Sequence, residues 1–120
     1  MMCADMFCLG AAVKALEKCG ADYLHIDIMD GVFVPNISFG FPVLMHVARL
    51  CTKPLDVHLM ITEPERYVER FANAGADIIT FHYEACAEPA ALISKIKELG
   101  KKAAISIPPK TPAEAILPFL

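Results

Sequence analysis

No stretch of this 120-residue chain approaches the ~20 consecutive apolar residues that a membrane span needs. The first ten residues, MMCADMFCLG, lack both the basic start and the clean apolar segment of a secretory signal peptide. Neither sign of charge is in strong excess. The 11 basic and 14 acidic residues leave a net charge of −3, which gives no footprint for nucleic acid or an anionic membrane surface. The five cysteines, Cys3, Cys8, Cys19, Cys51 and Cys86, contain no C-x-x-C pair. Free thiols in a reducing compartment are therefore expected, rather than a disulfide or thiolate–metal framework. No G-x-G-x-x-G follows an apolar run, which weighs against dinucleotide binding. Together these absences predict a soluble, cytoplasmic protein with no nucleic-acid or membrane partner.

What is present is a dense apolar pattern, 56% hydrophobic, in a chain long enough for one domain and too short for two of ordinary size. The segments DYLHID, PLDVHLM, DIITFH and KAAISI read as strands. Being apolar almost throughout, they suit parallel strands covered on both faces. Between them lie helical patterns at about 7–19 (Leu9, Val13, Leu16), 42–50 and 89–99 (Leu92, Ile96, Leu99). Thr62-Glu63-Pro64-Glu65 has the form of a capping box opening a helix that buries Val68 and Phe71 and stops at Gly75. Thr111-Pro112-Ala113-Glu114 repeats that logic for a last helix. CGADYLHID, AGADIITFH and LGKKAAISI align as a weak internal repeat of helix end, glycine stop, polar residue and buried strand. Repeated αβ units with short links imply a parallel sheet, in a (β/α) barrel or an open doubly wound arrangement. Both ends fall in mid-pattern, so residues 1–120 are expected to be a single partial (β/α) barrel domain, truncated at both ends, running from the first helix to about the fifth βα unit.

In such sheets the carboxyl ends of the strands form the active face, and residues two apart on a strand share a side. His25 with Asp27, Asp56 with His58, and His82 with Glu84 then deliver a histidine and a carboxylate from each of three adjacent strands. A lone strand histidine is more often a hydrogen-bonded packing residue. His25, Asp27 and His58 together favour a divalent metal site, with imidazole and carboxylate suiting Zn, Fe, Mn or Co. The alternative is a polar cluster that only orders loops. Asp56 either orients a ligating imidazole or bonds loop amides, and His82 and Glu84 either line the pocket or cap a turn. Met29 and Met60 wall the pocket or fill the core, His46 is a solvated helix residue, and Asp30 shapes the Gly31/Pro35 loop rather than doing chemistry.

LHIDIMDGVFVPNISFG, LDVHLMI, ITFHYEA and PKTPAEAILPFL together closely resemble the ribulose-phosphate 3-epimerase family, whose members are eight-stranded (β/α) barrels. The resemblance runs through essentially the whole chain, and the first two segments are specific in combination. It implies C3 epimerisation of D-ribulose 5-phosphate to D-xylulose 5-phosphate in the pentose phosphate pathway, by an isomerase that binds one divalent metal through two His and two Asp. Carried over by position, His25, Asp27 and His58 would be metal ligands, Asp27 also a catalytic base, and Met29, Met60 and His58 substrate-binding. The second Asp (fourth ligand and opposing acid/base) and the phosphate loops have no counterpart in these residues, and the family's substrate serine would lie just before Met1. The segment alone is expected to be inactive and prone to aggregate, and the full-length protein a homo-oligomer. Val32 stands where many relatives have His, and Pro108 where Asn is common. Two alternatives remain: a 3-epimerase for a six-carbon ketose phosphate of the allulose 6-phosphate type, and a non-catalytic barrel fragment needing a partner chain. No D-x-K-x-x-D follows a strand, which disfavours orotidine-phosphate decarboxylase-like members of the wider superfamily.

Overall fold

The computed structural model describes residues 4–120; Cys3 and the segment around Met1 lie outside the described residues. A short 3₁₀ turn, Met6–Cys8, leads into α1 (Leu9–Lys18). There follow β1 (Leu24–Met29), α2 (Phe41–Leu50), β2 (Leu55–Met60), α3 (Val68–Asn73), β3 (Ile78–His82), α4 (Pro89–Glu98) and β4 (Lys102–Ser106). All strand pairs are parallel, and the order across the sheet is β1-β2-β3-β4. Each crossover thus steps one strand in the same direction. A doubly wound sheet would reverse that progression, so the order fits an α/β portion of a (β/α)₈ barrel and not the open alternative.

Alternation along each strand separates two faces. Leu24, Ile26, Ile28, Leu55, Val57, Leu59, Ile79 and Phe81 are buried and join Val13, Leu44, Val47, Val68, Phe71, Leu92 and Ile96 of the helices in one cluster. The residues between them, including His25, Asp27, Asp56, His58 and His82, are half-buried or exposed, and no polar side chain among the described residues is fully buried. The helices cover one face. The other is the face that a (β/α)₈ barrel turns to its interior, and here it carries the polar residues of the candidate site.

The glycines that close the sequence repeat all leave their helices with positive φ: Gly20 at +81°, Gly75 at +113° and Gly100 at +73°. At Gly75 an added Cβ would lie 2.5 Å from the Ala48 Cβ, so both the turn and the approach of α2 require glycine there. Gly75 and Asp77 also bring β3 into register, since Asp77 accepts from Leu55 N–H through its carboxylate (2.9 Å) and donates its own N–H to the Leu55 carbonyl (2.9 Å).

Two helix starts differ from expectation. Thr62 caps nothing: its N–H (2.8 Å) and hydroxyl (3.0 Å) both donate to Asp30. Glu63 takes a left-handed φ of +48°, and the chain then forms a 3₁₀ turn, Pro64–Arg66, before α3. The Asp30 carboxylate outcompetes the capping box because it offers Thr62 a charged acceptor. Thr111 likewise donates its hydroxyl to Glu84 instead of capping, and Ala113–Phe119 is a 3₁₀ segment interrupted by Pro118 rather than an α-helix. Leu16 is 37% exposed, so of the predicted α1 stripe only Val13 is fully buried.

Candidate metal centre

The register of the sheet builds the site. His25 pairs with Asp56 and Asp27 with His58 across β1 and β2, with Met29 opposite Met60 one step further along. Thr80 lies opposite His58 on β3. Because parallel strands in register place these residues at common heights, side chains 31 positions apart in sequence meet. Asp56 Oδ2 lies 2.7 Å from His25 Nδ1, and Thr80 donates its hydroxyl to Asp56 Oδ1 (3.2 Å). Asp56 thus orients an imidazole, one of the two roles open to it from sequence.

With a proton on His25 Nδ1 committed to Asp56, the other ring nitrogen faces Asp27 Oδ1 at 3.1 Å. His58 Nδ1 lies 3.6 Å from the same oxygen. Lone pairs at that distance repel unless a proton or a metal ion sits between them. Ligand atoms each about 2.0–2.2 Å from a shared ion lie roughly 3 Å apart, close to these spacings. The ligating atoms of His25, Asp27 and His58 all fall within 4.8 Å of one another. The donor set of two imidazoles and one carboxylate suits a borderline transition ion, so these residues fit the metal the resemblance implies.

The sides of the site are built from neighbouring loops. Burial, with the His82 and His25 rings nearby, lowers the His58 pKa below its ordinary value against the opposing pull of Asp27 and Asp56, which keeps the ring neutral and able to ligate. His82, expected only to line the pocket or cap a turn, lies with Nε2 2.9 Å from His58 Nε2. Burial lowers its pKa too, opposed by Glu84. Glu84 itself is not on the strand: it sits in the 3₁₀ turn Tyr83–Ala85 beyond β3, with its carboxylate 4.0 Å from His82 Nδ1. Phe33, from the loop after β1, packs on the His82 ring at 4.9 Å between centroids.

Below the metal-facing row, the loop after β1 is tied down on both sides. Ser38 donates its hydroxyl to the Asp27 carbonyl (2.7 Å) and accepts from Met29 N–H (3.0 Å), which fixes the backbone around Asp27. Sequence reasoning missed Ser38. Its signal, a lone hydroxyl two residues after Asn36 in a Gly/Pro loop, does not distinguish it from an ordinary turn residue. Asp30 accepts from the N–H groups of Val32 and Phe33 (both 2.9 Å) and from Thr62, as its loop-shaping role requires. Partial burial pushes the Asp30 pKa up, but the amides of Thr62, Val32 and Phe33 and the Thr62 hydroxyl outweigh that and bring it to about 2. Met29 and Met60 are half-buried on the site face. Asn36 contacts the Met29 sulfur (3.5 Å). His46 is exposed on α2. The side chain of Val32 is largely exposed, and the Pro108 carbonyl accepts from Thr111 N–H (3.0 Å) in a turn. A separate cleft of about 440 Å³ between the 28–41 segment and α3 is lined by Ile28, Asp30, Phe41 and Tyr67, among others, but by none of the three ligand candidates.

A family model described as "Ribulose-phosphate 3 epimerase family" matches residues 1–120. The ribulose-phosphate 3-epimerase of Bacillus subtilis (strain 168) is 50% identical over 117 residues, covering 97% of this chain and 54% of that protein. The same-named protein of Synechocystis sp. is 49% identical over 116 residues, covering 95% and 50%. That of Treponema pallidum is 44% identical over 123 residues, covering 100% and 56%. The chain spans about half the length of the curated relatives it matches. No helix among the described residues is long and apolar enough to cross a membrane.

Proposed function

This chain belongs to the ribulose-phosphate 3-epimerase family, and we propose that the full-length protein interconverts D-ribulose 5-phosphate and D-xylulose 5-phosphate by proton transfer at C3. The observation that carries the reading is the convergence of the ligating atoms of His25, Asp27 and His58 within 4.8 Å on the polar face of two adjacent strands. Epimerisation beside a ketone removes a proton from one face of C3 and returns one to the other through an enediolate. A divalent ion (Zn, Fe, Mn or Co) held by His25, Asp27 and His58 would supply Lewis-acid stabilisation of the negative charge that develops on the substrate oxygens. Asp27 is the base on one face. Its backbone is pinned by Ser38, so its carboxylate stays in the row of His58, where general acid–base transfer requires a fixed geometry. Asp56 orients His25 through Nδ1, leaving Nε2 to face the ion. His58, Met29 and Met60 line the substrate side, the methionines offering an apolar wall that excludes water from the reacting carbon.

The opposing acid/base, a fourth ligand and the phosphate grip are assigned to the rest of the full-length protein, with residues 1–120 as part of one barrel domain. The setting is the pentose phosphate pathway in the cytoplasm, where free thiols such as Cys51 and Cys86 persist, and the protein works as a homo-oligomer. The test is deuterium incorporation at C3 of ribulose 5-phosphate in D₂O by the full-length protein. Asp27→Asn should lower the exchange rate by roughly 10²–10⁴-fold. Exchange at a near-parental rate in Asp27→Asn would remove Asp27 from the role of base. Exchange of allulose 6-phosphate without exchange of ribulose 5-phosphate would move the substrate to a hexose.

A further inference from the structure

His58 is held from behind by a second imidazole that belongs to no ligand set. His82 Nε2 lies 2.9 Å from His58 Nε2. The ring centroids are 5.0 Å apart and the planes are inclined by 25°. That separation accommodates both ring radii plus the nitrogen–nitrogen distance, so the rings meet edge to edge through one hydrogen bond rather than by overlap of their faces. One proton lies between the two nitrogens, and its owner decides which nitrogen of His58 faces Asp27.

Two arrangements exist. If His58 carries the proton on Nε2 and donates to His82, His58 Nδ1 keeps its lone pair on the side of Asp27 Oδ1, 3.6 Å away. If His82 is the donor, the His58 proton moves to Nδ1 and the metal-side nitrogen is blocked. The remaining nitrogen of His82 separates the two cases. His82 Nδ1 is buried and has no hydrogen-bond partner, and the Glu84 carboxylate stands 4.0 Å from it. In the first arrangement Nδ1 presents an N–H to that carboxylate. In the second it presents a buried lone pair to a negative charge, which is unfavourable on both counts. Glu84 is itself fixed by the Thr111 hydroxyl, and Phe33 packs on the His82 ring.

On the reading that His25, Asp27 and His58 hold a metal, we propose that His82 is a positioning residue: with Glu84 behind it, it holds the His58 proton on Nε2 so that Nδ1 is presented to the ion. The two ligating imidazoles are then set by carboxylates in opposite senses, His25 directly by Asp56 to ligate through Nε2, and His58 through an intervening ring to ligate through Nδ1.

The test compares the full-length parent with His82→Phe and His82→Gln, with circular dichroism verifying that each is folded. Zn²⁺ affinity is measured by competition with a chromogenic chelator, and the His58 tautomer by ¹⁵N NMR of the metal-free proteins. His82→Phe removes the acceptor while keeping a ring for Phe33 to pack on. It should weaken Zn²⁺ binding by about 10–100-fold and turn the single Nε2–H tautomer of His58 into a mixture. His82→Gln retains an oxygen that accepts from His58 Nε2–H, so it should recover most of both properties. An unchanged His58 tautomer in His82→Phe overturns the inference, whatever happens to affinity. A parent that takes up no Zn²⁺ while His58 shows the Nε2–H tautomer, lost in His82→Phe, would instead overturn the metal reading and leave the positioning by His82 standing.

Discussion

Replacing Asp30 by Asn should cost stability at neutral pH, and that cost should fade in acid. The carboxylate receives four hydrogen bonds, from the N–H groups of Val32, Phe33 and Thr62 and from the Thr62 hydroxyl. An amide of the same shape has one acceptor oxygen, so its NH₂ must face either the Val32/Phe33 amides or Thr62, donor against donor. The fall in the Asp30 pKa from 3.8 to about 2 sets a ceiling. That fall corresponds to at most about 2 kcal/mol. Since Asp30 is only half-buried, solvent screening reduces this to about 1–2 kcal/mol. For a domain of the relatives' size that is a drop of roughly 2–8 °C in Tm. The folded pKa is the depressed one, so the stabilisation is complete above the unfolded value near 4 and disappears as pH falls toward 2, with about half gone by pH 3. Urea unfolding of the full-length parent and Asp30→Asn at pH 7 and pH 3 measures both. A gap of the same size at the two pH values would refute the electrostatic origin, and no gap at pH 7 would refute the role of Asp30 altogether.

Gly75→Ala forces a side chain onto a φ of +113° and sets its Cβ 2.5 Å from that of Ala48. We expect a loss of about 2–4 kcal/mol by chemical denaturation, and a loss below about 0.5 kcal/mol would show that α2 yields freely. Burial lowers the His58 pKa, so His58 should remain neutral and ligating somewhat below the ordinary histidine range. An NMR pH titration of His58 in the metal-free full-length protein should therefore have its midpoint below the ordinary histidine value near 6.5, and a midpoint above that value would contradict the assigned shift.

The strands, their parallel pairing and the convergence of His25, Asp27 and His58 were legible because they rest on short-range rules. Apolar runs bounded by glycine give strands, and residues two apart share a face. The register that puts Asp27 beside His58 does not follow from the repeat, which leaves out β2. Less legible was whatever depended on competition between partners. The Thr62 capping box satisfied every local criterion, yet a carboxylate 32 residues away offers its hydroxyl a stronger partner. The same holds for Thr111 and Glu84. The contact of His82 with His58 was out of reach for a different reason: it depends on the angle at which two neighbouring strands present their side chains, which no spacing encodes.

Alternation along the strands has an evolutionary corollary. Ile26, Ile28, Val57 and Leu59 anchor the packed layer, while His25, Asp27, Asp56 and His58, interleaved with them one residue apart, contribute nothing to it. Mutations in the second set can change the polar row without loosening the first, and repacking of the first leaves that row at its heights. One six-residue ribbon thus carries two nearly independent inheritances, so a barrel of this kind can diversify its chemistry while its scaffold drifts on its own schedule.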